Sequence, residues 1–259
     1  LALLLKVQAK AIAITALVII VGHALVPLIP FTESSLANKI ILAFFIPGAI
    51  PFGAGKTFVM GYPPIPWLGI MLLGFACGKI FLIESAKRKR LFFKIGLSAW
   101  VIFVVIRFVN FYGNLAPWSL QKSGLYTVLS FINITKYPPS LDFCLVTLGG
   151  MFLMLAWVEN WQNKFSVITT VYGKVPLFFF LVHWFIIHPL MFLMVYWQGY
   201  TTNDLVFGFN FGRPKEGSGI ELSGIYLVWI CVLLILYPIC RWYGNYKINH
   251  RNIKWLRYL

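Results

Sequence analysis

The sequence is short of charge. Only 11% of its 259 residues are charged and 60% are hydrophobic, whereas ordinary soluble domains carry roughly 25% charged residues. Acidic residues are scarcest, 7 against 22 lysines and arginines. The net +15 collects between apolar runs, where the positive-inside rule puts it, and that distribution excludes a nucleic-acid binder. Cysteine is sparse as well. Cys77, Cys144, Cys231 and Cys240 stand singly, with no C-x-x-C spacing. This argues against a disulfide framework or a zinc site and for small packing residues. No internal repeat and no soluble domain are visible. The chain also lacks an initial methionine and the charged lead of a signal peptide. Its opening LALLLK is too short for a span, which needs ~20 residues, and reads as the tail of a preceding helix. The chain is therefore expected to be the C-terminal part of a longer one.

What is present is apolar length. Mean hydropathy is +0.82. The pattern predicts an all-α fold, a polytopic transmembrane helix bundle in the lipid bilayer. We read residues 1–259 as a single transmembrane domain with about six crossings, near 10–30, 64–83, 91–109, 139–158, 175–197 and 224–239. Pro64 and Pro66 suit the start of the second, where missing amide hydrogens matter little. The apolar piece 40–52 is short and broken by Pro47, Gly48 and Pro51, so it reads as interfacial or re-entrant. The half-apolar stretch 126–134 also suits an interface. A short polar loop carrying Lys164 and Lys174 is expected before the fifth crossing.

The run Lys87, Arg88, Lys89, Arg90 between two spans marks a cytoplasmic loop. With six crossings, 15 of the 22 cations fall on the side of that loop and of both termini, and 7 on the other. The termini of this segment are thus expected in the cytoplasm, in a multi-pass protein.

Four ionisable side chains stand well inside these spans: His23, Arg107, His183 and His188. Asp142 lies near a span's outer end. Such residues are expensive in a bilayer and mark candidate sites. At a rise of ~1.5 Å per residue, His23, Arg107 and His188 each lie ~20 Å from the inner basic markers, and Asp142 falls at a similar level. One reading is a polar pocket on the outer side, with histidine as general base and Arg107 or Asp142 as its partner. The other has Arg107 snorkelling, Asp142 pairing with it or capping its helix, and the histidines bonding between helices. His183 and His188 are five apart, hence ~140° around a helix, so they share neither a narrow cleft nor a metal. No metal site is expected. The Phe178–Phe180 run reads as lipid-facing and packing surface.

Several blocks come in a recognisable order: YPPIPWLGIMLLGFACGK (62–79), INITKYPPSLDFCLVTLG (132–149), YGKVPLFFFLVHWFIIH (172–188), YLVWICVLLILYPICRWY (226–243), and the tail K-x-x-x-R-x-x-x-W-L-x-Y-L (247–259). Together they resemble bacterial membrane proteins of the heparan-α-glucosaminide N-acetyltransferase-like family, over most of the chain from about Lys6 onward. The K-Y-P-P-S block and the tail are the specific parts. The resemblance implies a polytopic acyltransferase of the bacterial inner membrane. Such an enzyme takes an acetyl or acyl group from cytoplasmic acetyl-CoA or another acyl-CoA and delivers it to a sugar or glycan acceptor on the outer side. It also implies that the family's catalytic histidine lies in an N-terminal part not present in this sequence, and it leaves no residue here to inherit that role. Asp142 stands where the family is expected to be apolar. On this reading His23, Arg107, Asp142 and His188, with His183 deeper, are pocket-lining candidates, and Lys87, Arg88, Lys89 and Arg90 attract the CoA phosphates. A transporter and a non-enzymatic structural membrane protein are the alternatives. The first would use the same buried ionisable residues and the Pro/Gly-broken segment, but should show inverted repeats.

Overall fold

The computed structural model describes residues 6–29, 36–53, 55–208 and 210–257. It is helical, and among those residues six helices are long and apolar enough to cross a membrane: Ala9–Val26, Pro64–Leu82, Ser85–Val109, Leu141–Val158, Pro176–Trp197 and Leu222–Asn249. This is the character of a multi-pass membrane protein. Pro30, at the end of the first expected crossing, and Leu1 to Leu5 lie outside the described residues. Packing divides the chain into two compact units, Leu1–Asn160 and Trp161–Leu259.

In the first unit α1 (Ala9–Gly22) tightens into a 3-10 turn (His23–Leu28). The segment expected to be interfacial or re-entrant forms a short helix, α2 (Leu36–Ala43), and an antiparallel hairpin, β1 (Gly48–Phe52) with β2 (Lys56–Met60). The hairpin was not expected in an all-α chain. Proline and glycine deny a helix there, while β2 is built from KTFVM, whose threonine, phenylalanine and valine favour strands. Next come α3 (Pro64–Cys77), α4 (Ser85–Val109), α5 (Gly124–Ile132) and α6 (Leu141–Val158). α3 begins at the Pro-Pro step, as expected. α4 begins six residues before the expected crossing, because the KRKR run continues the helix beyond its apolar part. α6 is capped by Ser140, whose hydroxyl accepts the Phe143 N–H at 3.1 Å.

Helix pairs in this unit close on small residues, as membrane helices do where lipid offers no hydrophobic drive to associate. α4 packs on α6 and α1 on α3. A methyl group on Gly96 would stand 2.7 Å from the Gly149 carbonyl oxygen, and one on Gly69 2.8 Å from Ile19 Cγ2. Trp100 lies along the resulting seam, its indole N–H donating to the Val146 carbonyl at 3.1 Å. The buried core is correspondingly thin, in small groups such as Ile12, Ala16, Leu72 and Ala76, while most large apolar side chains face outward.

At the basic end, Arg88 joins three elements. It bonds the Glu159 carboxylate just past α6, with Nε at 2.9 Å, and its Nη1 donates to the carbonyls of Phe81 (2.9 Å) and Ile83 (2.8 Å). Ser85 donates to the same Glu159 oxygen at 3.1 Å. These bonds, that from Arg88 foremost, hold the Glu159 carboxyl below its ordinary value of 4.5. A depressed carboxyl contributes stability above its unfolded pKa and loses it as pH falls through the folded one. The excess melting temperature of wild type over Glu159→Gln in detergent should therefore be constant near neutrality and shrink below pH 4.5. The same excess at pH 7 and at pH 3 would mean that the pair contributes no charge-dependent stability.

The second unit contains α7 (Lys164–Gly173), α8 (Pro176–Trp197) and α9 (Leu222–Asn249). The expected polar loop is in fact α7, started by a capping box in which Asn163 accepts the Ser166 N–H at 2.8 Å and Ser166 accepts the Asn163 N–H at 3.2 Å. α9 runs ten residues past the expected crossing into the basic tail, and it tolerates Pro238 inside. That proline removes an amide from the ladder, and one turn earlier the Leu233 carbonyl accepts the Tyr172 hydroxyl at 2.7 Å. Phe178 stacks on Tyr243 (3.9 Å, 11°) over a core of Val175, Val232, Leu236 and Cys240. The tail motif folds back onto it through Leu256, which is 2% exposed. Of the four cysteines, Cys144 and Cys240 are buried and Cys77 half-buried, but Cys231 faces outward.

Candidate functional site

Arg107 does not snorkel. It is 2% exposed, and its guanidinium is surrounded by backbone oxygens of the segment that follows α4. Nε donates to Phe131 (2.8 Å), Nη1 to Ala116 (3.0 Å), and Nη2 to Ser130 and Asn133 (3.0 Å each). Three of these acceptors lie at the C-terminal end of α5, where helix carbonyls lack partners and the dipole favours a cation. The chain is further tied by Trp118, whose indole N–H reaches the Arg107 carbonyl at 2.7 Å, and by Asn110, whose amide bonds both the N–H and the C=O of Trp118 at 2.9 Å. One cation thus organises the segment between α4 and α6.

Asp142 is fully buried in the first turn of α6, 3.9 Å from Arg107 Nη1. Neither carboxylate oxygen has a hydrogen-bond partner among the described residues. Its charge is compensated by Arg107 and by the helix N-terminus. Its backbone N–H donates to Gly113 at 2.9 Å. Gly113 has φ +101°, and a side chain there would meet Asp142 Oδ1 at 2.7 Å and Ile106 at 2.5 Å, so only glycine fits.

His23, 4% exposed, ends α1. Its Nδ1 lies 3.1 Å from the Ile19 carbonyl and 3.0 Å from that of Ile20. Two carbonyls can only accept, which assigns the proton to Nδ1 and the lone pair to Nε2. Nε2 is buried and makes no hydrogen bond of ordinary geometry among the described residues, while the Pro139 backbone carbonyl also lies beside the ring. The ring lines a cavity of about 200 Å³ with Tyr112, Gly113, Asn114 and Ser140, and Asp142 lies behind Gly113. Tyr112 closes one side by donating its hydroxyl to the Val21 carbonyl. A second hollow of about 160 Å³ adjoins, lined by Arg107 and sharing Tyr112 and Asn114.

The structure therefore brings His23, Arg107 and Asp142 to one locality of the first unit. His183 and His188 belong to the second unit. His183 bonds through Nδ1 to the Phe180 carbonyl and stacks on Phe179 (5.7 Å, 10°). His188 stacks on Trp184 (4.6 Å, 23°) with the edge of Phe211 at 6.3 Å. Both are half-buried in aromatic surroundings. Among the described residues no group of three His, Cys, Asp or Glu could hold a metal.

Sequence reasoning missed Tyr112, Gly113 and Asn114, which lie in an irregular segment whose only signal was its Asn and Gly content. The K-Y-P-P-S block has a structural role here. Ser140 caps α6, and the Tyr137 ring meets Tyr62 edge-on at 5.0 Å with their hydroxyls 3.1 Å apart. Within the basic run, Lys87 pairs with Glu84 at 3.3 Å and Arg88 with Glu159. Lys89 and Arg90 instead line a groove with Lys94. In the second unit Lys174, Lys247 and Arg251 line a cavity of about 420 Å³. No family model matches this chain, and comparison with curated proteins and with solved structures finds no match, so function has to be read from these side chains.

Proposed function

We propose that this protein is an integral membrane acyltransferase, of the heparan-α-glucosaminide N-acetyltransferase-like kind, that passes an acetyl or acyl group from acyl-CoA to an amine or hydroxyl of a glycan at the outer side of the bacterial inner membrane. The observation that carries this reading is His23: a buried imidazole whose Nδ1 is occupied by two carbonyls and whose Nε2, among the described residues, lacks a hydrogen-bond partner beside a cavity that Asn114 and Ser140 also line. His23 takes this role on its geometry and not on the resemblance, which puts the family's own histidine outside this sequence: in transfer, Nε2 accepts the acceptor's proton as the acceptor nitrogen or oxygen bonds the acyl carbon. The C–S bond then breaks, and the thiolate takes the proton back as free CoA. Arg107 and Asp142 act as positioning residues, since Arg107's donors are already engaged by the chain that forms the cavity wall.

The test is transfer of labelled acetyl from acetyl-CoA to a glucosamine-terminated oligosaccharide in proteoliposomes. His23→Gln should lower the rate by about 10²–10⁴-fold without moving the melting temperature by more than a degree or two. His188→Ala should stay within a few-fold. Unchanged transfer in His23→Gln would remove His23 as the base. Acceptor uptake without any transfer by wild type would replace the enzyme with a transporter.

A further inference from the structure

The groove between α4 and α6 at their basic ends has no part in that reaction. It encloses about 780 Å³ and is lined on α4 by Lys89, Arg90, Phe93 and Lys94, and on α6 chiefly by Leu153 and Trp157. The α4 residues recur at helical spacing and so share one face. The ion pairs of this region join Lys87 to Glu84 and Arg88 to Glu159. The nearby acids Glu84 and Glu159 are thus engaged by the neighbours of Lys89, Arg90 and Lys94, and among the described residues no acidic side chain lines the groove. Beside the cations the lining turns apolar: Phe93 is 53% and Trp157 62% exposed, and both belong to helices long and apolar enough to span a membrane.

A trough open to hydrocarbon does not stay empty, and water gains nothing by filling an apolar one. Its natural occupant is an acyl chain. Cations at one end of that trough select the head carried by the chain, because basic pockets between membrane helices hold anionic lipid phosphates. A soluble nucleotide would need polar partners for its base and ribose, and Asn160 is the one neutral polar residue in the lining. We propose that this groove is a binding site for an anionic phospholipid, its phosphate held among Lys89, Arg90 and Lys94 and one chain laid along Phe93, Leu153 and Trp157.

The test uses the whole protein in nanodiscs of phosphatidylcholine containing a minor fraction of phosphatidylglycerol, with retained lipid counted by mass spectrometry after stepwise detergent stripping. Wild type should retain phosphatidylglycerol over phosphatidylcholine by at least about tenfold, since each basic residue at the surface contributes ~1 kcal/mol. Lys89→Gln/Arg90→Gln/Lys94→Gln should abolish that preference. Lys174→Gln/Lys247→Gln/Arg251→Gln, which removes the same charge elsewhere, should keep it. Equal loss in both triple variants would reduce the effect to overall charge. Displacement of the retained lipid by millimolar CoA or inorganic phosphate would assign the cations to a soluble phosphate. Either result overturns the proposal, as does a wild type with no preference. Because the readout is lipid, failure of the acyltransferase reading leaves it untouched.

Discussion

Arg107→Leu is expected to destabilise the protein by about 3–5 kcal/mol, the range for removing one partner of a buried charge pair. The loss has two sources. Four backbone carbonyls, of Ala116, Ser130, Phe131 and Asn133, lose the guanidinium as a donor, although Ala116 keeps the Asn114 amide, and the Asp142 carboxylate keeps its burial but loses the cation 3.9 Å away. Unfolding in mixed micelles measures the total, and hydrogen exchange should show residues 116–133 opening first. The double variant Arg107→Leu/Asp142→Leu separates the terms. It should recover part of the loss by removing the orphaned carboxylate, but not the part that belongs to the carbonyls. A single variant within about 1 kcal/mol of wild type would show that Arg107 is not the organiser of that segment. Transfer should fall in Arg107→Leu as the cavity wall loosens, whereas in His23→Gln it falls with the fold intact.

The second large effect concerns a single hydrogen. Gly96→Ala places a methyl group 2.7 Å from the Gly149 carbonyl oxygen and 2.9 Å from the Leu153 backbone nitrogen. Backbone cannot rotate away as a side chain can, so α4 and α6 must separate, straining the Trp100–Val146 bond along the seam. We expect about 1–3 kcal/mol of destabilisation, the range for overpacking a close-packed interior. Gly150→Ala is the internal control. Its methyl would meet Trp100 at 3.7 Å, an ordinary contact, and should be nearly neutral. Equal effects at the two sites would mean that helix propensity, not close approach, sets the cost.

Apolar length made the six helices legible, because a bilayer demands a minimum number of consecutive apolar residues whatever the neighbours are. Ends were less legible. The KRKR run and the tail beyond Ile239 are helical although charged, since a helix leaving the membrane needs no apolar face. α7 was hidden because its capping box pairs Asn163 with Ser166 instead of the usual Glu or Gln. The hairpin at 48–60 was hidden because its first strand lies in the piece read as interfacial or re-entrant and its second lies beyond that piece, so the pairing left no pattern in either.

Counting residues from the basic markers put His23, Arg107, His188 and Asp142 at one level; His23, Arg107 and Asp142 lie together in the first unit, and His188 belongs to the second. Depth is one-dimensional and follows from helix rise alone. Partners are not. That Arg107 would reach the end of α5, 23 to 26 residues on, depends on a fold-back that leaves no periodic trace. By itself the sequence determined the membrane character and the number of long apolar helices, because these depend on composition and apolar length. Only the tertiary structure decided that Arg107 serves backbone oxygens and that Gly113 leaves room for the Asp142 carboxylate, because each is settled by atoms brought together from distant parts of the chain.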